Sequence, residues 1–217
     1  NPFAALYKYD NKWLICASPE RFLTKQGSKI YSQPIKGTSK RDMVSAANDD
    51  ANKDWLRNSS KDQSENVMVV DLVRNDLSKI CEEGSVKVDE LFGIYSFPQV
   101  HQMISTVSGT LKRNIEFTEI IKACFPMGSM TGAPKKKVME LIEKYETGKR
   151  GIFSGALGYI NPSGDFDFNV VIRSIMYNEA LGYLSYQVGS GITHYSNAAA
   201  EWDECMMKEK KKKKVFQ

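Results

Sequence analysis

The sequence predicts a mixed α/β (α+β) fold organised around a large, mainly antiparallel sheet. Three observations carry that prediction. Short β-prone runs broken by turn residues recur over 12–33, 85–111 and 151–192, and apolar residues recur at helical spacing between them. No repeat, low-complexity linker or composition break divides the 217 residues. A chain of this length buries a substantial core, and its even composition favours a single domain over residues 1–217.

Residues 12–33 alternate WLICAS, RFLTK and KIYSQ with Gly27 and Pro34 as punctuation, the pattern of antiparallel strands. Residues 42–60 are polar and helix-compatible, an excursion from the sheet. From Glu65 to Ile80, apolar residues fall at 68, 69, 72, 73, 77 and 80, which predicts a helix opened by Glu65 and closed near Gly84. Strands follow over 85–111, then a helix near 117–125. Gly128-Ser-Met-Thr-Gly-Ala-Pro134 opens a further helix, with Val138, Leu141, Ile142 and Tyr145 along one face. Residues 151–192, dense in Ile, Val, Phe and Tyr between glycines, suit three strands, and the chain is helical from about Asn197.

Composition narrows the classes of function. The chain begins Asn-Pro, with no charged and apolar leader, so the expectation is a start internal to a longer product and no signal peptide. No apolar run approaches 18 residues, so no membrane span is expected. Cys16, Cys81, Cys124 and Cys205 are scattered without a CxxC pair, and read as free thiols of a reducing cytoplasm. The run Lys208–Lys214 contributes +5 to a formal net charge of +4, so the rest of the chain carries −1. A nucleic-acid reader needs basic residues across a folded face, so no nucleic-acid partner is expected. The tail reads as the solvated end of a helix.

Several residues carry chemistry. Pro34-Ile35-Lys36-Gly37-Thr38 sets a lysine beside a glycine turn, and Ser18-Pro19-Glu20-Arg21-Phe22 holds a carboxylate at a proline-fixed strand boundary. An amine and a carboxylic acid on two short turns supply a nucleophile and a proton donor; the alternative is a surface Lys and Glu. The loop Gly128-x-x-x-Gly132-Ala-Pro-Lys135 departs from the phosphate-loop spacing, so nucleotide binding is rejected. What survives is a helix N-terminus where N–H groups and the Ser129 or Thr131 hydroxyl favour an anion, or simple capping. Glu201, Glu204 and Lys208 share one face of the terminal helix, and with Glu65 they offer carboxylates to a hard divalent ion, or are solvated helix charges. Arg173 interrupts the apolar strand FNVVIRSIM, where it captures a carboxylate or forms a structural ion pair. His101 is one of two histidines, catalytic or a satisfied structural residue. Asp71-Leu-Val-Arg74-Asn75-Asp76 is expected to form mostly structural pairs.

Together these residues resemble the chorismate-utilising enzymes, specifically their catalytic C-terminal half. The matching blocks are SPERF (18–22), PIKGT (34–38), ENVMVVDLVRNDL (65–77), PQVHQMISTVSGTL (98–111), FPMGSMTGAPKKKVMELI (125–142), RGIFSGALGYI (150–160), DFNVVIRSI (167–175) and GSGIT…AEWDEC (189–205). They run collinearly over almost the whole chain, which is more specific than any single motif. In that family the residue before Gly-Thr separates branches. The anthranilate synthase component I branch usually carries Ala there, and the aminodeoxychorismate synthase component I branch carries Lys.

The resemblance implies that Lys36 attacks C2 of chorismate while Glu20 protonates the departing C4 hydroxyl, after which ammonia adds at C4 and expels the lysine. It implies Mg²⁺ held by Glu65 and Glu204, with Glu201 direct or through water. Arg173 and the Gly191 backbone would hold the enolpyruvyl carboxylate, Ser129, Gly37 and Thr38 would line the ring, and Phe153 and Lys208 would complete the substrate site. His101 matches a histidine linked to catalysis in the anthranilate branch. The family's full chain has an additional N-terminal half. No glutaminase nucleophile motif is present, so ammonia would come from solution or from a glutamine amidotransferase subunit in a heterodimer. Three departures bear on the substrate site: Phe153 stands where Tyr is frequent, Cys205 where Thr is usual, and His194-Tyr195-Ser196 replaces a more acidic stretch. The competing expectations are anthranilate synthase component I and a non-catalytic chorismate-binding fragment.

Overall fold

The computed structural model describes residues 2–194 and 196–213, the last four by backbone alone. The strands are β1 (Phe3–Tyr9), β2 (Lys12–Ser18), β3 (Arg21–Gln26), β4 (Lys29–Gln33), β5 (Ile35–Lys40), β6 (Lys87–Ser96), β7 (Val100–Thr110), β8 (Ala156–Ile160), β9 (Phe166–Val170), β10 (Ser174–Asn178) and β11 (Tyr183–Tyr186). The helices are α1 (Ala46–Arg57), α2 (Ser60–Ile80), α3 (Phe117–Cys124), α4 (Lys135–Tyr145) and α5 (Ala198–Lys213). Four strands lie in the order β1-β2-β10-β11, and seven in a second sheet ordered β5-β7-β4-β3-β9-β8 with β6 also on β7. The registered pairings are all antiparallel, as expected of short runs joined by Gly and Asn turns. Contacts group the residues into two compact units interleaved in sequence: one holds residues up to Pro19, 150–157 and from Val170 on, the other Glu20–Lys149 and Gly158–Asn169.

In the larger unit, β7 is the central strand. β4 and β5 run end to end along one edge of it, linked by Pro34, whose carbonyl accepts from the Ser105 N–H (3.2 Å), and β6 pairs along its other edge. Helix α2 lies against β7. Its buried residues Asn66, Val69, Val70, Val73, Asp76, Leu77 and Ile80 form one stripe at helical spacing. Burial of each such aliphatic side chain contributes about 1.5–3 kcal/mol. The predicted helix is therefore real but starts five residues early. Ser59 caps it by accepting from the Asp62 N–H, and Glu65 lies in the second turn rather than at the opening. The polar stretch 42–60 folds as α1, capped by Ser45 and buried at Asp49 and Leu56.

Two further expectations are corrected. Residues 151–192 give four strands, because the turns at Asn161–Gly164 and Glu179–Gly182 are joined by a further break at 171–173 that no glycine marks. The run FNVVIRSIM is not one strand. It breaks at 171–173, where Arg173 takes φ +51°, so β9 and β10 join different sheets and Arg173 is exposed at the bend. In the smaller unit, Leu14, Cys16 and Val171 form the core, with Ala5, Leu157 and Met176 against them. The four cysteines are free thiols. Among the described residues no helix is long and apolar enough to cross a membrane. The end of the lysine tail lies outside the described residues.

Candidate active site

In the larger unit, Lys36 and Gly37 form a bulge. The ladder runs Ile35↔Ile104 and then Thr38↔Gln102, so two residues of β5 face one of β7, Met103. A bulge of this kind twists the strand and re-aims the side chain it carries. Gly37 is required twice over. Its φ is +94°, and a Cβ there would stand 3.0 Å from the side chains of Asp62 and Leu56. Lys36 is half-buried, and no described residue accepts a hydrogen bond or ion pair from its amine. Thr38 is exposed beside it.

Glu20 occupies the break between β2 and β3 and is only 5% exposed. The residue after it is anchored: Arg21 donates from Nε and Nη2 to the two carboxylate oxygens of Asp167 (3.0 and 2.8 Å) and from Nη1 to Gln33 (2.7 Å). Glu65 has Lys61 Nζ at 4.0 Å. Its neighbour Asn66 is fully buried and accepts from the Ser105 hydroxyl (2.6 Å). The glycine loop departs from expectation. Ser129 lies in a short 3₁₀ turn, Gly128–Met130, apart from α4, which begins after Pro134. The Thr131 hydroxyl donates to the Met127 carbonyl, 3.0 Å away, rather than waiting for an anion. Gly128 lets the turn approach α2, since a Cβ there would meet Leu72 at 2.9 Å. The loop is tied down by Lys135, whose ammonium pairs with Asp76, itself bonded to Lys79 (3.1 Å), while Arg74 pairs with Asp71 (3.0 Å).

His101 is fully buried on β7, opposite Ser39 of β5. Both of its ring nitrogens are hydrogen-bonded, Nε2 to Asp49 (2.8 Å) and Nδ1 to Ser96 (2.9 Å). Asp49 also binds Arg41, whose guanidinium holds its carboxyl well below the usual carboxylate range.

The smaller unit carries the other candidates. Asn197 caps α5 by accepting from the N–H groups of Ala199 and Ala200 (3.1 and 3.2 Å). Glu201, 7% exposed, accepts from Ser196 (2.9 Å) and from Ser190. Ser190 also reaches Glu204 (3.3 Å), so two carboxylates converge on one hydroxyl. Lys208 bridges Glu204 (2.5 Å) and the Gly189 carbonyl (2.9 Å), closing the predicted helix face onto the loop. The exposed Gly191 N–H makes no hydrogen bond to a described residue, and Phe153 is half-buried beside Gly189. The paired Glu201 and Glu204 oxygens are hard donors of the kind Mg²⁺ accepts with waters and substrate oxygens. Among the described residues no three His, Cys, Asp or Glu side chains form a metal-binding group.

Contacts thus unite Lys36 with Gly37 and Thr38, and Glu201 with Glu204 and Lys208. The sequence did not single out Arg41, Asp49, Ser96, Ser190 or Asp167. Each is a polar or charged residue whose partner lies on another element or loop, and no periodicity announces such a pair.

The sequence matches the pattern of a protein family described as chorismate binding enzyme over residues 1–213. It is 42% identical over 209 residues to an aminodeoxychorismate synthase of Streptomyces pristinaespiralis, covering 95% of this chain and 28% of that one. It is 39% identical over 203 residues to aminodeoxychorismate synthase component 1 of Klebsiella aerogenes, covering 94% and 44%. The fold is similar to the crystal structure of anthranilate synthase component I from Streptococcus pneumoniae TIGR4, with TM-score 0.84 and 32% identity over 95% of this chain and 45% of that one. The chain therefore spans less than half the length of these relatives.

Proposed function

The chain belongs to the chorismate binding enzyme family, and from that premise we propose that it carries the catalytic residues of an aminodeoxychorismate synthase component I, converting chorismate and ammonia to 4-amino-4-deoxychorismate. The observation that carries the reading is Lys36: a half-buried amine without an ion-pair partner among the described residues, presented by a glycine bulge. Similarity of about 40% to two aminodeoxychorismate synthases supports it.

In this reading the Lys36 amine bonds to C2 of chorismate and gives up a proton, both ring double bonds shift towards C4, and the C4–O bond breaks as the Glu20 carboxyl delivers its proton and water leaves. Ammonia then bonds to C4 and gives up a proton, both double bonds shift back, and the C2–N bond breaks as Lys36 is reprotonated and released. Covalent catalysis of this kind splits one difficult substitution into two displacements. In the smaller unit Arg173 and the Gly191 N–H would hold the enolpyruvyl carboxylate; in the larger, Gly37, Thr38 and Ser129 would contact the ring. Glu201 and Glu204, which converge on the Ser190 hydroxyl, would hold Mg²⁺ with waters and substrate oxygens, and Lys208 would release Glu204 on loading. When bound, the ion neutralises and orients the ring carboxylate. Ammonia is supplied by a glutamine amidotransferase subunit, a reading the "component 1" name of the Klebsiella aerogenes relative supports. The free thiols fit a reducing, cytoplasmic setting.

The test is intact-protein mass after exposure to chorismate without ammonia. A covalent adduct on Lys36 that disappears in Lys36→Ala is expected; an adduct that persists in that variant overturns the reading. A second reading, anthranilate synthase component I, is favoured by the likeness to the Streptococcus pneumoniae structure, and it predicts anthranilate and pyruvate instead.

A further inference from the structure

We propose that Asp49, held by Arg41, is a positioning residue that fixes the ring of His101, and that these three side chains lock the strand presenting Lys36. The catalytic part of this inference rests on the reading of Lys36 above; the lock itself rests on contacts within the larger unit alone.

The bulge at Lys36-Gly37 interrupts the ladder between Ile35 and Thr38, so its shape depends on what holds β5 on either side. Upstream, the Pro34 carbonyl accepts from the Ser105 N–H. Downstream, the hold is the charged cluster. Arg41 follows the last residue of β5, and its backbone N–H donates to the Gln99 carbonyl (3.2 Å). Its Nη1 donates to the Phe97 carbonyl (3.1 Å), and its Nε contacts both oxygens of Asp49 (2.8 and 2.9 Å). The same Asp49 oxygen, Oδ1, accepts from the Asp42 N–H (2.9 Å) and meets His101 Nε2 (2.8 Å). Three elements are thereby pinned at one carboxylate: the exit of β5, the first turn of α1 and the start of β7.

The chemistry of the acceptor sets the histidine. An ionised Asp49 only accepts, so Nε2 must carry the ring proton and the Ser96 hydroxyl donates to Nδ1. A carboxylate that orients an imidazole and selects its tautomer is a familiar device at metal and triad histidines. Here, though, both nitrogens are spent inside the protein and the ring is 0% exposed. His101 therefore acts on the reaction through β5, one register step from Thr38, and not by transferring a proton to substrate.

The experiment has two readouts. Nitrogen-15 histidine NMR of the ligand-free chain should show one ring, that of His101, as the Nε2–H tautomer with a slowly exchanging proton, altered in Asp49→Ala. A rapidly exchanging ring proton or an Nδ1–H tautomer overturns the lock. If Asp49→Ala does not fold, Arg41→Lys, which cannot span Asp49 and Phe97 together, must loosen the same signal. The second readout is the rate of Lys36 adduct formation. Misplacing a reacting group by about 1 Å costs on the order of 100-fold, so Asp49→Ala and His101→Ala should lose roughly that factor. His101→Gln, whose amide restores an N–H toward Asp49, should recover most of it with an unchanged pH profile. A Gln variant as slow as Ala that also loses a pH limb makes His101 a proton-transfer residue and overturns the proposal. A wild-type chain that shows the tautomer but forms no adduct contradicts the Lys36 reading and leaves the lock standing.

Discussion

Gly37 and Arg173 both adopt positive φ, in different settings. At Gly37, with φ +94° and the Asp62 and Leu56 side chains 3.0 Å from any added Cβ, glycine alone fits. Gly37→Ala is expected to cost about 1–3 kcal/mol, read as a lower denaturation midpoint, and to slow adduct formation because the bulge moves. Arg173 has a Cβ and still sits at +51°, at the break between β9 and β10. Asp49 makes the acid dependence readable. Its carboxyl is depressed chiefly by Arg41, so it contributes stability that is present above the unfolded value of about 4 and is lost as pH falls towards its folded value. Asp49→Asn should therefore be less stable than wild type at pH 7, with the gap narrowing as pH drops below about 4; a gap that stays constant across an acid titration contradicts the assignment. Lys36 and Glu20 drew notice in the sequence through their motifs, PIKGT and SPERF. Asp49 did not, because a carboxylate in a polar stretch looks solvated until its arginine and histidine arrive from other elements.

At the scale of elements, α2 was the most legible, since its buried stripe at 69, 70, 73, 77 and 80 writes its period into the sequence. What periodicity could not supply was its start. Ser59 and the five residues between it and Glu65 are polar throughout, and only the cap geometry shows that the helix begins there. The opposite failure occurred at the glycine loop. Gly, Ser and Thr before Pro134 look like a helix cap, yet the segment folds as a separate 3₁₀ turn followed by Thr131, whose hydroxyl donates back to the Met127 carbonyl. Its placement depends on Lys135 reaching Asp76 on α2. Removing one partner of a buried ion pair costs roughly 3–5 kcal/mol. Lys135 is 18% exposed and Lys79 remains beside Asp76, so Lys135→Met is expected to lose only about 1–3 kcal/mol in a denaturant titration. A loss below about 0.5 kcal/mol would mean that the pair is ornamental.

For the whole molecule, the fold class came through because both sheets are antiparallel and their turns are written in Gly, Pro and Asn. The division into two interleaved units did not. The units exchange chain at four points, between Pro19 and Glu20, between Lys149 and Arg150, after Leu157 and before Val170, and no composition break marks them. The candidate site shows the same limit. Collinear motif blocks named its residues, while the contacts that fix them, Arg21 with Asp167, Asp49 with His101, Ser190 with Glu201, join residues 11 to 146 positions apart.

Whether Lys36 directs this chain to amination at C4 is decided by the product formed from chorismate, an ammonium salt and Mg²⁺. The account predicts 4-amino-4-deoxychorismate, no anthranilate, and loss of the product in Lys36→Ala. Anthranilate with released pyruvate, formed equally well by the Lys36→Ala variant, would contradict it.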